Sequence, residues 1–140
     1  MAEQEKEIES PTIIYNDFKE LFPKNCISCK KGWYSIIHQM CSTIHFYVEQ
    51  ENPPEDKKPY FTKIEEKFGV LNIEIENSDS VIELIRRATE KISWHTCEYC
   101  SEPGELYCSS KYKSWSYLKT LCLDHAIELY YYRLYKSPTT

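Results

Sequence analysis

Residues 97–100 are Cys97-Glu98-Tyr99-Cys100, and residues 122–125 are Cys122-Leu123-Asp124-His125. In each pair, two metal-ligand residues are separated by two others, a spacing that lets a tight turn direct both side chains at one ion. Two such pairs complete a tetrahedral shell of three thiolates and one imidazole, which has no open position and is typical of structural zinc. The spacing therefore predicts one Zn²⁺ that contributes to folding, held by Cys97, Cys100, Cys122 and His125.

The segment between and after these pairs predicts a treble-clef-type zinc finger. Residues 105–109 and 115–121 are expected to form the two strands of a hairpin, and Asp124 is expected to start a helix. This C-terminal helix would turn a set of apolar side chains inward, namely Ile127, Tyr130, Tyr131 and Leu134. Cys108, in the first strand, could replace a ligand, but a small buried residue beside a full shell is the simpler interpretation.

Upstream of the finger, the hydrophobic pattern predicts two helices and a hairpin. Apolar residues at helical spacing predict a helix over about residues 32–49. Residues 60–65 and the alternating residues 70–76 predict two antiparallel strands. A second helix is expected to follow the cap candidates at 77–80 and to pack on the sheet through Val81, Ile85, Ala88 and Ile92.

Together these elements predict an α+β fold. A small antiparallel β-hairpin or sheet is covered by two helices and is followed by a treble-clef-type zinc finger with a C-terminal helix. Residues 1–12 are expected to be a flexible acidic tail, and residues 13–94 the α+β core. Residues 95–140 are expected to hold the zinc-finger segment and a Tyr-rich C-terminal helix, packed with the core as one unit.

The composition of the 140-residue chain narrows the class of protein. Hydrophobic residues make up 41% of it, enough to build a core, and the odd number of cysteines, seven, argues against a closed disulfide framework. The first residues are acidic and carry no apolar signal region, and no apolar run is long enough for a spanning helix. These features predict a protein of a reducing compartment, the cytoplasm, without a membrane partner.

A second cysteine pair indicates another candidate metal site. Cys26 and Cys29 repeat the two-residue spacing, and His38, Cys41 and His45 lie along one flank of the predicted first helix. Cys26, Cys29, Cys41 and His45 could together hold a second zinc ion. Alternatively, Cys41 is a buried thiol at the edge of the apolar stripe and the histidines are solvated. The sequence leaves both interpretations open.

The C-terminal part also carries candidate binding residues. Tyrosine joins an apolar ring to a polar tip and is favoured at interfaces, so a candidate partner-binding surface consists of Tyr131, Tyr132, Arg133 and Tyr135. Basic and aromatic residues alternate before it and could follow a nucleic-acid backbone: Lys111, Tyr112, Lys113, Trp115 and Lys119. The net charge of −5 weighs against this nucleic-acid alternative.

Catalytic motifs are scarce in this chain. With three glycines it has no Gly-rich phosphate loop, and it contains no H-E-x-x-H pair. A metal-dependent nuclease, which treble-clef scaffolds can support, would need an open second metal site and a free histidine base, whereas His125 is assigned as a ligand. The residues favour a non-enzymatic protein with no evident small-molecule substrate, and a nuclease is the second alternative after nucleic-acid binding.

The chain carries a C-x-x-G-W block at residues 29–33, a K-F-G-x-L block at residues 67–71, and the finger motif C-E-x-C-x2-P-G followed by C-x2-H. In order and spacing, these three blocks resemble a family of small zinc-binding bacteriophage and prophage proteins. The chain departs from the family pattern at Ser101, where glycine is frequent, and in a longer finger hairpin. The resemblance implies zinc and the fold above but no particular activity. A phage origin would imply a protein of the bacterial host cytoplasm that binds and modulates a host protein complex, such as a defence system.

Overall fold

The computed structural model describes residues 7–109 and 118–133 of the chain. The N-terminal part contains α1 (Pro11–Asp17), β1 (Ile27–Ser28), α2 (Tyr34–Glu51), β2 (Tyr60–Lys67), β3 (Val70–Glu76) and α3 (Ser80–Ser93). The C-terminal part contains β4 (Glu105–Ser109), β5 (Leu118–Leu121), α4 (Leu123–Glu128) and β6 (Tyr131–Arg133). Within these described ranges the strands form two three-stranded sheets, and the predicted mixed α+β class is confirmed. No helix in the same ranges has the length and apolarity needed to cross a bilayer.

The first sheet is built on the hairpin of β2 and β3. These strands pair antiparallel along their length, and β1 joins β2 in parallel. Phe68 and Gly69 form the turn with positive φ angles of 54° and 85°, the conformation that a two-residue hairpin loop requires. The predicted hairpin is confirmed, and its first strand extends to Lys67.

Helix α2 covers this sheet with the broad apolar face that its sequence predicts. Ile37, Met40 and Ile44 are buried in one cluster with Phe61 and Ile73 of the hairpin. Full burial of a side chain of this size contributes about 1.5–3 kcal/mol.

The first helix begins inside the predicted tail. Ser10 accepts a hydrogen bond from the Thr12 N–H (3.2 Å), and Pro11 fills the first turn, where its missing N–H costs nothing. Ile14 is fully buried, and Ile8 packs against the core. Regular structure therefore starts before residue 12, because this segment has apolar area to bury; residues 1–6 lie outside the described ranges.

Helix α3 turns a different face to the core from the one predicted. Asp79 caps it by accepting a hydrogen bond from the Ile82 N–H (2.9 Å). Its buried residues are Ile82, Thr89 and Ser93, whereas Val81, Leu84, Ala88 and Ile92 are exposed. The predicted packing face is therefore wrong except at the partly buried Ile85. The reason is that polar side chains of α3 bind the backbone of β3, and these bonds set the rotation of the helix.

The second sheet has β4 at its centre, paired antiparallel with β5 and β6. The predicted strand at residues 105–109 is confirmed. The predicted Tyr-rich helix is wrong beyond Glu128, where α4 ends, and Ile127 and Tyr130 are exposed rather than turned inward. Tyr130 has a positive φ of 60°, and the chain continues as β6, which pairs with the second edge of β4.

Candidate metal centre

Three cysteines and one histidine converge in the C-terminal part. Their ligand atoms all lie within 4.8 Å of one another: Cys97, Cys100, Cys122 and His125. The Nδ1 atom of His125 lies 3.2 Å from the Cys122 sulfur and 3.6 Å from the Cys97 sulfur. The sulfur atoms of Cys100 and Cys122 are 3.7 Å apart. The predicted ligand set is thus brought together in a geometry compatible with a metal, while Cys108 is buried in β4 outside the cluster.

A tight turn brings Cys97 and Cys100 together. The Cys97 N–H donates to the Glu102 carbonyl (2.7 Å), and the Ser101 N–H donates to the Cys97 carbonyl (3.0 Å). Ser101 is left-handed, with a φ of 72°, a conformation that glycine adopts more readily. Its hydroxyl donates to the Gly32 carbonyl (2.7 Å), and this bond helps to hold serine in the left-handed conformation.

The second ligand pair lies at the start of a helix. Cys122 follows β5 and caps α4, its sulfur accepting a hydrogen bond from the His125 N–H (3.4 Å). One helical turn therefore places the imidazole beside the same sulfur atom. The Tyr99 ring stacks on the His125 imidazole with centroids 5.5 Å apart and planes 25° apart, which restricts the orientation of the imidazole.

The chemistry of the cluster fits a thiophilic divalent cation. Burial raises the pKa of Cys100 to about 12, so in the absence of a cation this thiol keeps its proton at neutral pH. A coordinating cation deprotonates its thiols, and binding then releases protons. A tetrahedral set of three sulfur atoms and one nitrogen atom is characteristic of Zn²⁺.

Glu98 lies in the turn that joins Cys97 to Cys100, called here the knuckle turn, and its burial is not predicted from the sequence. Its side chain is 2% exposed, and within the described part of the chain its Oε1 atom has no hydrogen-bond partner. Burial raises the pKa of this carboxyl, and the Lys119 ammonium, 3.7 Å from Oε1, opposes the rise. The same ammonium lies 5.8 Å from the centroid of the Tyr99 ring. Lys119, a predicted nucleic-acid contact, is therefore paired with a buried carboxyl group.

The knuckle turn rests on the residues that precede α2. The Gly32 N–H donates to the Glu98 carbonyl (2.8 Å), and the Trp33 indole N–H donates to the Thr96 carbonyl (2.9 Å). A Cβ atom added at Gly32 would collide with the Cys97 carbonyl oxygen, so the close approach requires glycine. The sequence predicts no role for this glycine, because the backbone that requires it is distant in sequence.

The other cysteine and histidine candidates are not assembled into a site. Among the residues that the structure describes, no three of the following bring their ligand atoms together: Cys26, Cys29, Cys41 and His45. His45 lies 3.8 Å from Glu49 in an exposed pair. Burial raises the pKa of Cys26 to about 11, and all three thiols pack with the apolar core. Cys41 is buried and His45 is exposed, as the alternative interpretation expects, while Cys26 and Cys29 are half-buried.

The remaining candidate residues fall only partly within the described ranges. Tyr131 is half-buried against the apolar cluster around the metal centre, and the backbone of Tyr132 and Arg133 continues β6. Outside the described ranges lie Lys111, Tyr112, Lys113, Trp115, Leu134 and Tyr135. The interface predictions at these positions stay predictions.

Comparison with known proteins assigns the chain to no family. No family model matches the chain, and neither a curated protein nor a solved structure is significantly similar to it. The class of protein is therefore defined by the fold and the site: a small α+β protein with a four-residue cysteine and histidine cluster compatible with a bound metal.

Proposed function

We propose that this protein is a non-enzymatic, zinc-stabilised interaction protein built on a treble-clef-type finger. The donor set supports zinc, because three thiols and one imidazole gathered between a knuckle turn, a hairpin and a short helix are typical of structural zinc sites. Four protein ligands fill a tetrahedral shell and leave no position for a substrate or a metal-bound hydroxide. The metal then stabilises a surface and takes no part in catalysis.

The observation that carries the proposal is the outward apolar face of α4. Leu123 and Ile127 lie one turn apart on α4, Tyr130 follows in the turn after the helix, and the side chains of Ile127 and Tyr130 are 65% and 79% exposed. His125, on the same helix, belongs to the cysteine and histidine cluster, so a bound metal would hold this face rigidly. Exposed apolar side chains grouped on a rigid support are typical of protein interaction sites. The predicted surface at Tyr131, Tyr132, Arg133 and Tyr135 directly follows this helix in the chain.

The resemblance to phage and prophage proteins supports a partner of a particular kind. A small phage protein without catalytic residues acts by binding a host component and covering its functional surface. We therefore propose a host protein complex, such as a defence system, as the partner and the bacterial cytoplasm as the place of action.

Metal content tests the zinc part of the proposal. The purified protein should contain one zinc ion per chain by elemental analysis, and the Cys122→Ala variant should lose it. A protein that retains iron or no metal after purification in zinc-containing medium would contradict this assignment.

Partner capture tests the interaction part. The zinc-loaded, tagged protein is incubated with bacterial lysate, with and without nuclease, and bound proteins are identified. We expect a stoichiometric protein partner that persists after nuclease, is lost with the double variant Ile127→Asp and Tyr130→Asp, and is kept by the matched control Glu128→Gln. Bound material that disappears with nuclease would replace the proposal by nucleic-acid binding, and a partner kept by the double variant would place the contact elsewhere.

A further inference from the structure

Helix α3 exposes an apolar stripe to solvent. Four residues align along one side of the helix because they follow each other at spacings of three and four, and they are called here the outer stripe: Val81, Leu84, Ala88 and Ile92. All four are exposed, Leu84 to 69% and Ile92 to 50%. Single apolar residues on a surface are ordinary, but a stripe that runs the length of a helix indicates a contact surface.

The outer stripe does not hold α3 to its own sheet. The Ser93 hydroxyl oxygen accepts a hydrogen bond from the Leu71 N–H (3.0 Å), and a carboxylate oxygen of Glu90 accepts one from the Ile73 N–H (3.0 Å). These polar groups fix the helix on the free edge of β3. The buried face of the helix is a different one and includes Ile82. The apolar residues of the outer stripe are therefore available for a partner.

Two cations border the outer stripe. Arg87 and Lys91 lie three and seven residues after Leu84, which places them along one side of the stripe, and both are exposed. The third cation of the helix, Arg86, is bound by two glutamates of α3 at 2.6 and 2.8 Å and is neutralised there. Glu83 also interacts electrostatically with Arg87, but no carboxylate of α3 lies between the two cations and the stripe, so the border next to the stripe carries two positive charges.

We propose that the outer stripe is a docking site for an amphipathic helix of another protein, one whose apolar face is bordered by acidic residues. A helix lying in this way would place its apolar side chains along the stripe and its carboxylates opposite Arg87 and Lys91. Ala88 has the smallest side chain of the stripe and lets the two helices approach closely. The stripe extends over about 16 Å of helix axis, room for about three turns of the partner.

Charge distinguishes this partner from a second copy of the chain. In a two-fold symmetric pair of antiparallel α3 helices, the positive border of one chain lies next to the positive border of the other. Arg87 and Lys91 of one chain would then meet Arg87 and Lys91 of its copy. Like charges placed together oppose association. A partner helix with an acidic border would be attracted to Arg87 and Lys91. The charges therefore favour a different protein over a second copy of this chain.

This docking site goes beyond the proposed function, because it lies on another helix from the α4 face and involves no ligand of the metal centre. Variants confined to α3 test it. A failure of the α3 test leaves the α4 proposal standing, and a failure of the α4 test leaves the outer stripe standing.

A display library of helical peptides provides the probe. Peptides of about 18 residues carry apolar residues at helical spacing, and Glu, Gln and Lys vary at the bordering positions. With the zinc-loaded full-length protein as bait, we expect enrichment of Glu at the border. The affinity of a selected Glu peptide should fall about tenfold or more with Leu84→Asp and should be unchanged with the matched control Phe46→Asp, an apolar residue of α2 that is 67% exposed and belongs to neither surface.

An exchange of charge gives a readout that a loss of structure would not produce. The double variant Arg87→Glu and Lys91→Glu should reverse the preference, so that Lys-bordered peptides bind better than Glu-bordered ones, with helix content unchanged by circular dichroism. The proposal is overturned by no enrichment above a scrambled library, by binding that ignores Leu84→Asp, or by a preference that the exchange leaves unaltered. A dimer in sedimentation analysis that Leu84→Asp dissociates would assign the stripe to a second copy and also overturn it.

Discussion

At the scale of single residues, Gly32 joins the α+β core to the metal centre. Its N–H donates to the Glu98 carbonyl, its carbonyl accepts from the Ser101 hydroxyl, and its α-carbon lies against the Cys97 carbonyl. We expect Gly32→Ala to lower the free energy of unfolding by about 3 kcal/mol or more, because overpacking against backbone has no flexible side chain to displace. Urea unfolding measures the loss, and competition with a chelator should show weaker metal binding.

The matched control for this substitution is Lys31→Ala at the exposed preceding position, which should change the free energy of unfolding by no more than about 0.5 kcal/mol. Wild-type stability and metal retention in Gly32→Ala would contradict the close approach between the two parts.

Asp79 is a second residue whose contacts predict a measurable effect. It caps α3 and accepts a hydrogen bond from the Tyr47 hydroxyl (2.6 Å). Burial alone would raise the pKa of Asp79, but the hydrogen bonds from the Ile82 N–H and Tyr47 outweigh it and lower the pKa. Asp79→Ala should cost about 1 kcal/mol of unfolding free energy at neutral pH, and Asp79→Asn, which can still cap, should cost less.

The pH dependence of the Asp79 contribution follows from the direction of its pKa shift. A carboxyl group with a lowered pKa in the folded state stabilises the fold above its unfolded pKa of about 3.9 and loses this contribution as the pH falls through the folded value. The difference between wild type and Asp79→Ala in urea unfolding should therefore be constant near neutral pH and narrow below about pH 4. A difference that grows on acidification would contradict the assignment.

The sequence predicts the four ligand residues of the metal centre but not the glycine that supports them. Cys97, Cys100, Cys122 and His125 could be predicted because the spacing within each pair is local and the chemistry of thiolates and imidazole is specific. Gly32 could not, because its constraint comes from backbone that is distant in sequence.

At the scale of elements, the local hydrophobic pattern predicted the strand β3 and the helix α3, but it did not predict which face of α3 packs against the core. The alternation in residues 70–76 predicted β3 correctly, since period two is visible within the strand itself. In α3 the apolar period indicated the wrong buried face, because hydrogen bonds from β3 to polar side chains set its rotation. In residues 131–133 the helical spacing of apolar residues predicted a helix, whereas the segment forms β6. Tyrosine also favours strands, and the pairing with β4 joins residues that are distant in sequence, so it leaves no local pattern.

The hydrogen bond between the Leu71 N–H and Ser93 can be tested directly. Both groups are buried, so Ser93→Ala leaves the N–H without a partner, and we expect a loss of about 1–3 kcal/mol despite the better helix propensity of alanine. The control is Ser35→Ala, an exposed serine of α2, which should be neutral. Hydrogen exchange at Leu71 in the folded protein should also accelerate; unchanged exchange together with unchanged stability would show that Ser93 does not fix α3 on the strand.

At the scale of the whole molecule, the N-terminal and C-terminal parts are linked by hydrogen bonds from side chains to backbone carbonyls on both sides of the metal centre. The Trp33 indole donates to the Thr96 carbonyl, and the Thr120 hydroxyl donates to the Gly69 carbonyl (2.7 Å) at the turn of the first hairpin. A metal that organises residues 97–125 therefore also supports the ends of α2 and of the β2–β3 hairpin. Stability of the two parts should be coupled.

Removal of the metal tests this coupling. If the cluster holds zinc as proposed, chelation should lower the free energy of unfolding by about 4 kcal/mol relative to protein at a free zinc concentration about 1,000 times the dissociation constant. Hydrogen exchange should accelerate around residues 31–34 and 68–70 as well as in the finger, because Gly32, Trp33 and Gly69 lose their hydrogen-bond partners there. The Cys122→Ala variant is the control, since chelator should not change it further. Acceleration confined to residues 95–133 would show instead that the finger unfolds alone, and that the contacts at Gly32 and Gly69 contribute little to the stability of the core.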